Sequence, residues 1–314
     1  MSGHAAGHAA GGAGAVAVMS LAMLLAPGMD VLAKLATDTV SPAVAALGRF
    51  AAQTAILVPL VLIAGQTERP GWLHLAGGMC LATALFCITA AVAVMPVANA
   101  IAIFFVEPLI LTLISVPLLG ERIGWRRVAA VLTGLGGAVV VLRPNLAAYG
   151  PEAALPLGAA VAFALYLVVT RVLSLRGQRL AMQLWTGAVA AGVLAALVLV
   201  ANALMGPAAP GVLAATPPDG RVLGLMLAMG VLACLTHQML AFAFSRAEAG
   251  ALAPLQYLEI ISATLLGWLV FGDFPDAMTW LGTAIIIGAG LYVLERERQQ
   301  ARVTALTAQA RPDM

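Results

Sequence analysis

Residues 107–121 read EPLILTLISVPLLGE, and residues 259–273 read EIISATLLGWLVFGD. Each stretch opens on an acid, runs apolar, and closes on a glycine followed by a second acid. The two lie 152 positions apart, and at that offset residues 94–142 align with 246–294 without a gap. Glu107 falls on Glu259, Thr112 on Thr264, Leu113 on Leu265, Gly120 on Gly272, Glu121 on Asp273, Gly136 on Gly288, Val141 on Val293 and Leu142 on Leu294. Leu and Val coincidences are cheap in an apolar chain. Paired acids inside apolar runs, and paired Gly-acid turns, are not. The chain is built twice.

What surrounds the repeat defines its solvent. The 314 residues are 62% hydrophobic and only 10% charged, with a mean hydropathy of +1.01, whereas soluble domains carry roughly 25% charged residues. Crossing a bilayer takes ~20 apolar residues as helix. Apolar runs between breakers predict helices near 15–36, 42–64, 72–94, 97–118 and 124–142, then near 155–173, 180–204, 221–244, 249–271 and 278–295. The fold class is therefore an all-α integral membrane protein, with ten transmembrane helices as two five-helix repeats. An odd number of spans per half makes the second half enter the membrane from the opposite side, the inverted repeat of many secondary transporters. The expected organisation is a disordered tail over 1–14, a first repeat over 15–142, a linker over 143–154, a second repeat over 155–295 and a C-terminal tail over 296–314.

Orientation follows from the basic residues. With ten spans, the termini and alternate loops share one side, which holds Arg69, Arg122, Arg126, Arg127, Arg171, Arg176, Arg179, Arg246, Arg296, Arg298, Arg302 and Arg311. The other side's loops hold only Arg143 and Arg221. Twelve against two puts both termini in the cytoplasm by the positive-inside rule. The formal charge of +2 gives no pull toward nucleic acid. Met1–Gly14 lacks the basic region of a signal peptide. Cys80, Cys87 and Cys234 all sit in apolar runs, and nothing clusters ligands for zinc, so neither a metal nor a cofactor is expected. HExxH, GxSxG and phosphate-loop motifs are all absent, which argues against an enzyme or an ATP-driven pump. A channel would need rings of pore-lining charge or a filter loop.

Several of these stretches carry a family resemblance. Pro108-Leu109 through Leu119-Gly120-Glu121-Arg122, with the span ending Val141-Leu142-Arg143-Pro144, resembles the drug/metabolite transporter superfamily, EamA-like branch. Gly267-Trp268-Leu269-Val270-Phe271-Gly272-Asp273-Phe274-Pro275 resembles the same signature in the second half, with Asp273 where the family more often has Glu. The opening Met29-Asp30, Lys34 and Arg49 resembles bacterial members. The resemblance implies a ten-helix transporter of a bacterial inner membrane. Spans 1, 3, 4, 6, 8 and 9 would line a central cavity, with spans 5 and 10 peripheral. The implied substrate is a small polar metabolite, either exported as an amino acid or related compound, or taken up as a vitamin, nucleoside or similar nutrient.

A charge at mid-helix costs ~2.5–3.5 kcal/mol on insertion scales, so those inside the spans need a reason. Asp30 and Lys34 share a helical face just after Pro27-Gly28, which invites a kink. They form either a neutralised structural pair or a cavity wall for a zwitterion. Arg49, with Gln53 one turn on, pairs structurally with Asp30 or Asp38, or clamps a carboxylate. Glu107, followed by Pro108, and Glu259, with Gln256 and Tyr257 just before it, lie near mid-depth and are candidates for binding substrate or a proton. His237 and Gln238 on span 8 are a further polar cluster, and Tyr166 and Phe163 on span 6 are candidate aromatic walls. Ala130, Gly134 and Ala138 on span 5, and Ala284 and Gly288 on span 10, serve packing within the protomer or a homodimer.

Overall fold

A computed structural model describes residues 2–119, 125–174, 178–246 and 253–309. Among them there is helix and no strand. Seven stretches are long and apolar enough to cross a membrane, and one of these, Val128–Thr170, contains two helices. The shorter apolar helices Leu255–Phe271 and Ala277–Val293 bring the passages to the expected ten. Span 1 is Ser2–Leu25 with Pro27–Ala36, span 2 Pro42–Ile63, span 3 Trp72–Val92, span 4 Val97–Phe104 with Glu107–Leu119, and span 5 Trp125–Tyr149. Span 6 is Leu155–Ser174, span 7 Arg179–Met205, span 8 Gly220–Arg246, span 9 Leu258–Phe271 after a 3₁₀ turn over Ala253–Tyr257, and span 10 Ala277–Gln309.

Three expected boundaries move. The helix of span 1 begins at Ser2, within the expected irregular tail. Span 5 continues through Pro144 to Tyr149. Asn145 supports that turn by donating its side-chain Nδ2 back to the Val141 carbonyl at 2.7 Å, so the linker shrinks to a 3₁₀ turn over Gly150–Ala154. Span 10 likewise runs on to Gln309, through most of the expected C-terminal tail. The Gly120-Glu121-Arg122 turn lies outside the described residues. Its counterpart is clear: Gly272 takes the left-handed conformation at φ +74°, which glycine adopts freely, and ends span 9.

The packing maps onto itself when the halves are exchanged. Span 5 packs on span 10, span 2 on span 7 and span 4 on span 9. Span 1 packs on span 8 as span 6 packs on span 3, span 3 on span 7 as span 8 on span 2, and span 1 on span 9 as span 6 on span 4. Two glycines mark this symmetry at atomic scale. A Cβ on Gly230 would lie 2.6 Å from Ala52 Cβ and 2.8 Å from the Gln53 nitrogen, and one on Gly78 would lie 2.5 Å from Val189 and 2.9 Å from the Thr186 carbonyl. They stand at the same 152-residue offset, so the repeat reaches back into spans 3 and 8.

Turns that occupy equivalent places in the two halves emerge at opposite ends. The Ser41 amide before span 2 donates to Thr216 Oγ1 at 2.8 Å, joining the 1–2 and 7–8 connections. At the far end of span 2, Glu68 N donates to Gln178 Oε1 at 2.7 Å, Ala181 N to Gln66 Oε1 at 2.9 Å and Trp185 Nε1 to the Glu68 carbonyl at 2.8 Å. The 1–2 and 6–7 turns are thus separated by the length of span 2. That is the inverted arrangement.

Spans 5 and 10 meet through small residues. A Cβ on Gly137 would lie 2.9 Å from the Gly282 carbonyl, and one on Gly282 would lie 2.6 Å from that of Gly137. Ala130 and Ala138 are buried within the protomer, whereas Ala284 and Gly288 face outward.

Candidate functional site

Among the described residues three spans are interrupted within the bundle, each beside a carboxylate. Span 1 breaks at Ala26, because Pro27 has no N–H to continue the ladder. The carbonyl of Leu24, beside the kink, accepts a hydrogen bond from Ser262 Oγ on span 9. Span 4 breaks at Phe105-Val106, and its helix restarts at Glu107-Pro108. Span 9 changes from 3₁₀ to α-helix at Tyr257-Leu258, just before Glu259. Asp30, Glu107 and Glu259 therefore each sit in the first turn of a restarted helix. Unpaired N–H groups and the positive end of the helix dipole favour a carboxylate there. Irregular backbone at membrane depth is tolerated where protein or a wet cavity satisfies it.

The three acids converge. Glu259 lies within electrostatic reach of both Asp30 and Glu107, and Tyr257 within reach of Glu107. Glu107 is 7% exposed, and its Oε1 has no hydrogen-bond partner among the described residues. Asp30 and Glu259 are half-buried.

A basic pole lies near Asp30, on span 2. Arg49 is 7% exposed. Its Nη2 approaches Met29 Sδ at 3.8 Å, while Nε and Nη1 have no hydrogen-bond partner among the described residues. Asp30 is its electrostatic neighbour, yet no ion pair within 4.0 Å joins them among the described residues, so the expected structural pair is not closed. Tyr166 on span 6, with Cys234 and His237 on span 8, stands around the guanidinium. Gln53, one turn beyond Arg49, is buried with Oε1 unpartnered.

The expected Asp30–Lys34 pair does not form. Lys34 Nζ reaches Asp273 Oδ2 at 2.9 Å and the Met95 carbonyl at 3.1 Å, and lies 4.6 Å from the centroid of the Phe271 ring. A tertiary partner has displaced the neighbour four residues back, and it ties span 1 to the 3–4 and 9–10 turns. Lys34 thus spends its charge on an end of the bundle and not on Asp30. His237 turns Nδ1 to the Ala233 carbonyl at 2.7 Å, and Gln238 Nε2 donates to Gln183 Oε1 at 3.2 Å. Gln256 is half-buried in the 3₁₀ turn before span 9, and among the described residues no hydrogen bond joins its side chain to the acids.

Several participants carry no charge, and so no signal in a search for buried charges. Phe104 and Phe105, at the break in span 4, stand between Phe163 and Tyr257, with ring centroids 5.6 Å and 5.7 Å away respectively. Asn99 Nδ2 donates to Asn145 Oδ1 at 2.9 Å, bridging spans 4 and 5. Asparagines in apolar runs could have flagged that bridge.

Comparison with known proteins gives a consistent answer. The profile of the EamA-like transporter family matches residues 13–143. The chain is 31% identical to the pseudopaline exporter of Pseudomonas aeruginosa over 264 residues, covering 83% of this chain and 89% of the relative. It is 27% identical to an S-adenosylmethionine uptake transporter of Rickettsia felis over 89% of this chain and 92% of that one. It is 29% identical to a riboflavin transporter of Rhizobium johnstonii over 78% of this chain and 77% of that one. A crystal structure 25% identical in sequence superimposes with a TM-score of 0.58, covering 90% of this chain and 98% of the other.

Proposed function

Because this chain belongs to the EamA-like transporter family, we propose that its inverted halves carry a small polar metabolite across a bacterial inner membrane by alternating access, with Asp30, Glu107, Glu259 and Arg49 at the binding site. The observation that carries this reading is the convergence of three carboxylates, each opening a restarted helix, where the repeats meet. Substrate sites of inverted-repeat carriers lie near mid-depth among discontinuous helices. Rocking one half against the other would expose that site to each side in turn. The cytoplasmic placement of both termini rests on the twelve-to-two distribution of loop arginines.

For the cargo, the relatives named for S-adenosylmethionine uptake and riboflavin transport favour uptake of a vitamin or similar nutrient. The similarity to the pseudopaline exporter keeps export of amino acids or related compounds as a second reading. Reconstitution into liposomes separates the two. Counterflow is measured with labelled amino acids, riboflavin, nucleosides and S-adenosylmethionine, and those transported are then offered from each side. Saturable counterflow of at least one solute is expected. Conductance without saturation, or no movement of any solute, defeats the carrier reading.

A further inference from the structure

The two chemically unlike ends of the central site are joined by aromatic rings. Tyr166, beside Arg49, lies 5.5 Å from Phe163, centroid to centroid, and Phe163 lies 5.6 Å from Phe104. Phe104 lies 6.4 Å from Phe105, and Phe105 lies 5.7 Å from Tyr257, which neighbours Glu107. These separations fall in the range where aromatic faces and edges attract. The rings come from spans 6, 4 and 9, so the seam crosses between the repeats.

Each part of the site leaves one need unmet. Arg49 holds two buried nitrogens without a hydrogen-bond partner among the described residues, and a planar guanidinium fork matches a carboxylate or phosphate edge. Glu107 presents a buried oxygen without a hydrogen-bond partner among the described residues, with Glu259 as a neighbouring acid, an arrangement that a cation completes. Phe104, Phe163 and Tyr257 of the seam are half-buried, and a flat body would stack on them. We infer that the carrier selects molecules in which a flat ring system bears both an anionic and a cationic group, with Arg49 taking the anion, Glu107 and Glu259 the cation, and the Phe163–Phe104–Phe105 seam the ring. This rests on the carrier reading above and names its substrate class.

The test uses purified full-length protein and four probes: 4-(aminomethyl)benzoate (ring with the two charges at opposite ends), benzylamine (ring and cation), benzoate (ring and anion) and 6-aminohexanoate (both charges, no ring). 4-(Aminomethyl)benzoate is expected to bind tightest. Arg49→Gln weakens 4-(aminomethyl)benzoate and benzoate by about tenfold, the scale of a lost charge-assisted hydrogen bond, and leaves benzylamine within about twofold. Arg49→Lys keeps the charge without the fork and gives a smaller loss confined to the same two probes. Phe104→Leu and Phe163→Leu weaken the three ring-bearing probes and spare 6-aminohexanoate. 6-Aminohexanoate binding as tightly as 4-(aminomethyl)benzoate, none of the four probes binding, or a uniform loss across probes in both Arg49 variants overturns the inference. The carrier reading falls separately, if no solute in the counterflow panel moves.

Discussion

Lys34 offers a perturbation whose size can be worked from its contacts. Its ammonium makes a 2.9 Å ion pair with Asp273, a 3.1 Å hydrogen bond to the Met95 carbonyl and a 4.6 Å approach to the Phe271 ring. The side chains are 18% and 31% exposed, so the ion pair is discounted to about 0.5 kcal/mol. A charge-assisted bond to a carbonyl adds about 1 kcal/mol net of hydration, and the ring contact adds about 0.5 kcal/mol. The sum, about 2 kcal/mol, corresponds to about thirtyfold in an equilibrium constant. Opening this end would require all three contacts to part, so Lys34→Met should shift the balance toward the open form by about that factor. Spin labels at Asp38→Cys and Phe274→Cys, both exposed positions, placed in a background with Cys80, Cys87 and Cys234 replaced, report the distance across this end. A longer-distance population should grow in Lys34→Met and retreat when the charges are swapped as Lys34→Asp with Asp273→Lys. Identical distance distributions in all three proteins would mean that Lys34 does not hold this end shut.

Other expectations follow from packing. Gly230→Ala and Gly78→Ala each force a methyl into the partner helix, so each should destabilise by about 1–3 kcal/mol, while Gly136→Ala, with nothing within 4 Å of the new atom, should be neutral; denaturation in detergent ranks the three. Asn99→Val strands the Oδ1 of Asn145 in a buried setting and should cost about 1 kcal/mol. Asn99→Val with Asn145→Val should recover part of that loss, which the same denaturation series measures.

The sequence makes the architecture legible because lipid leaves few options. Apolar length fixes the spans and basic loops fix their alternation. The repeat is readable wherever a costly residue recurs, as Glu107 and Glu259 do. It is not legible at Gly78 and Gly230, since a glycine pair recurs by chance in a chain with 32 glycines, and only the close approach of the partner backbones gives the coincidence meaning. Lys34 escapes for a different reason: helical spacing names Asp30 as its neighbour, whereas Asp273 is 239 residues away. Pro27 and Pro108 announce breaks in spans 1 and 4. The break before Glu259 carries no proline at the joint, and Tyr257-Leu258 reads as ordinary helix. Phe104 and Phe105 are indistinguishable from core until their neighbours on spans 6 and 9 are known.

Glu107 and Glu259, opening restarted helices in opposite halves, are proposed to meet the cargo together. The decisive measurement is counterflow of whichever solute the wild-type protein carries, made side by side for Glu107→Gln and Glu259→Gln at equal reconstituted amounts. Each substitution alone should lower the initial rate by about tenfold or more, the cost of one lost charge-assisted contact. Wild-type rates in both variants would show that the two carboxylates do not hold the cargo.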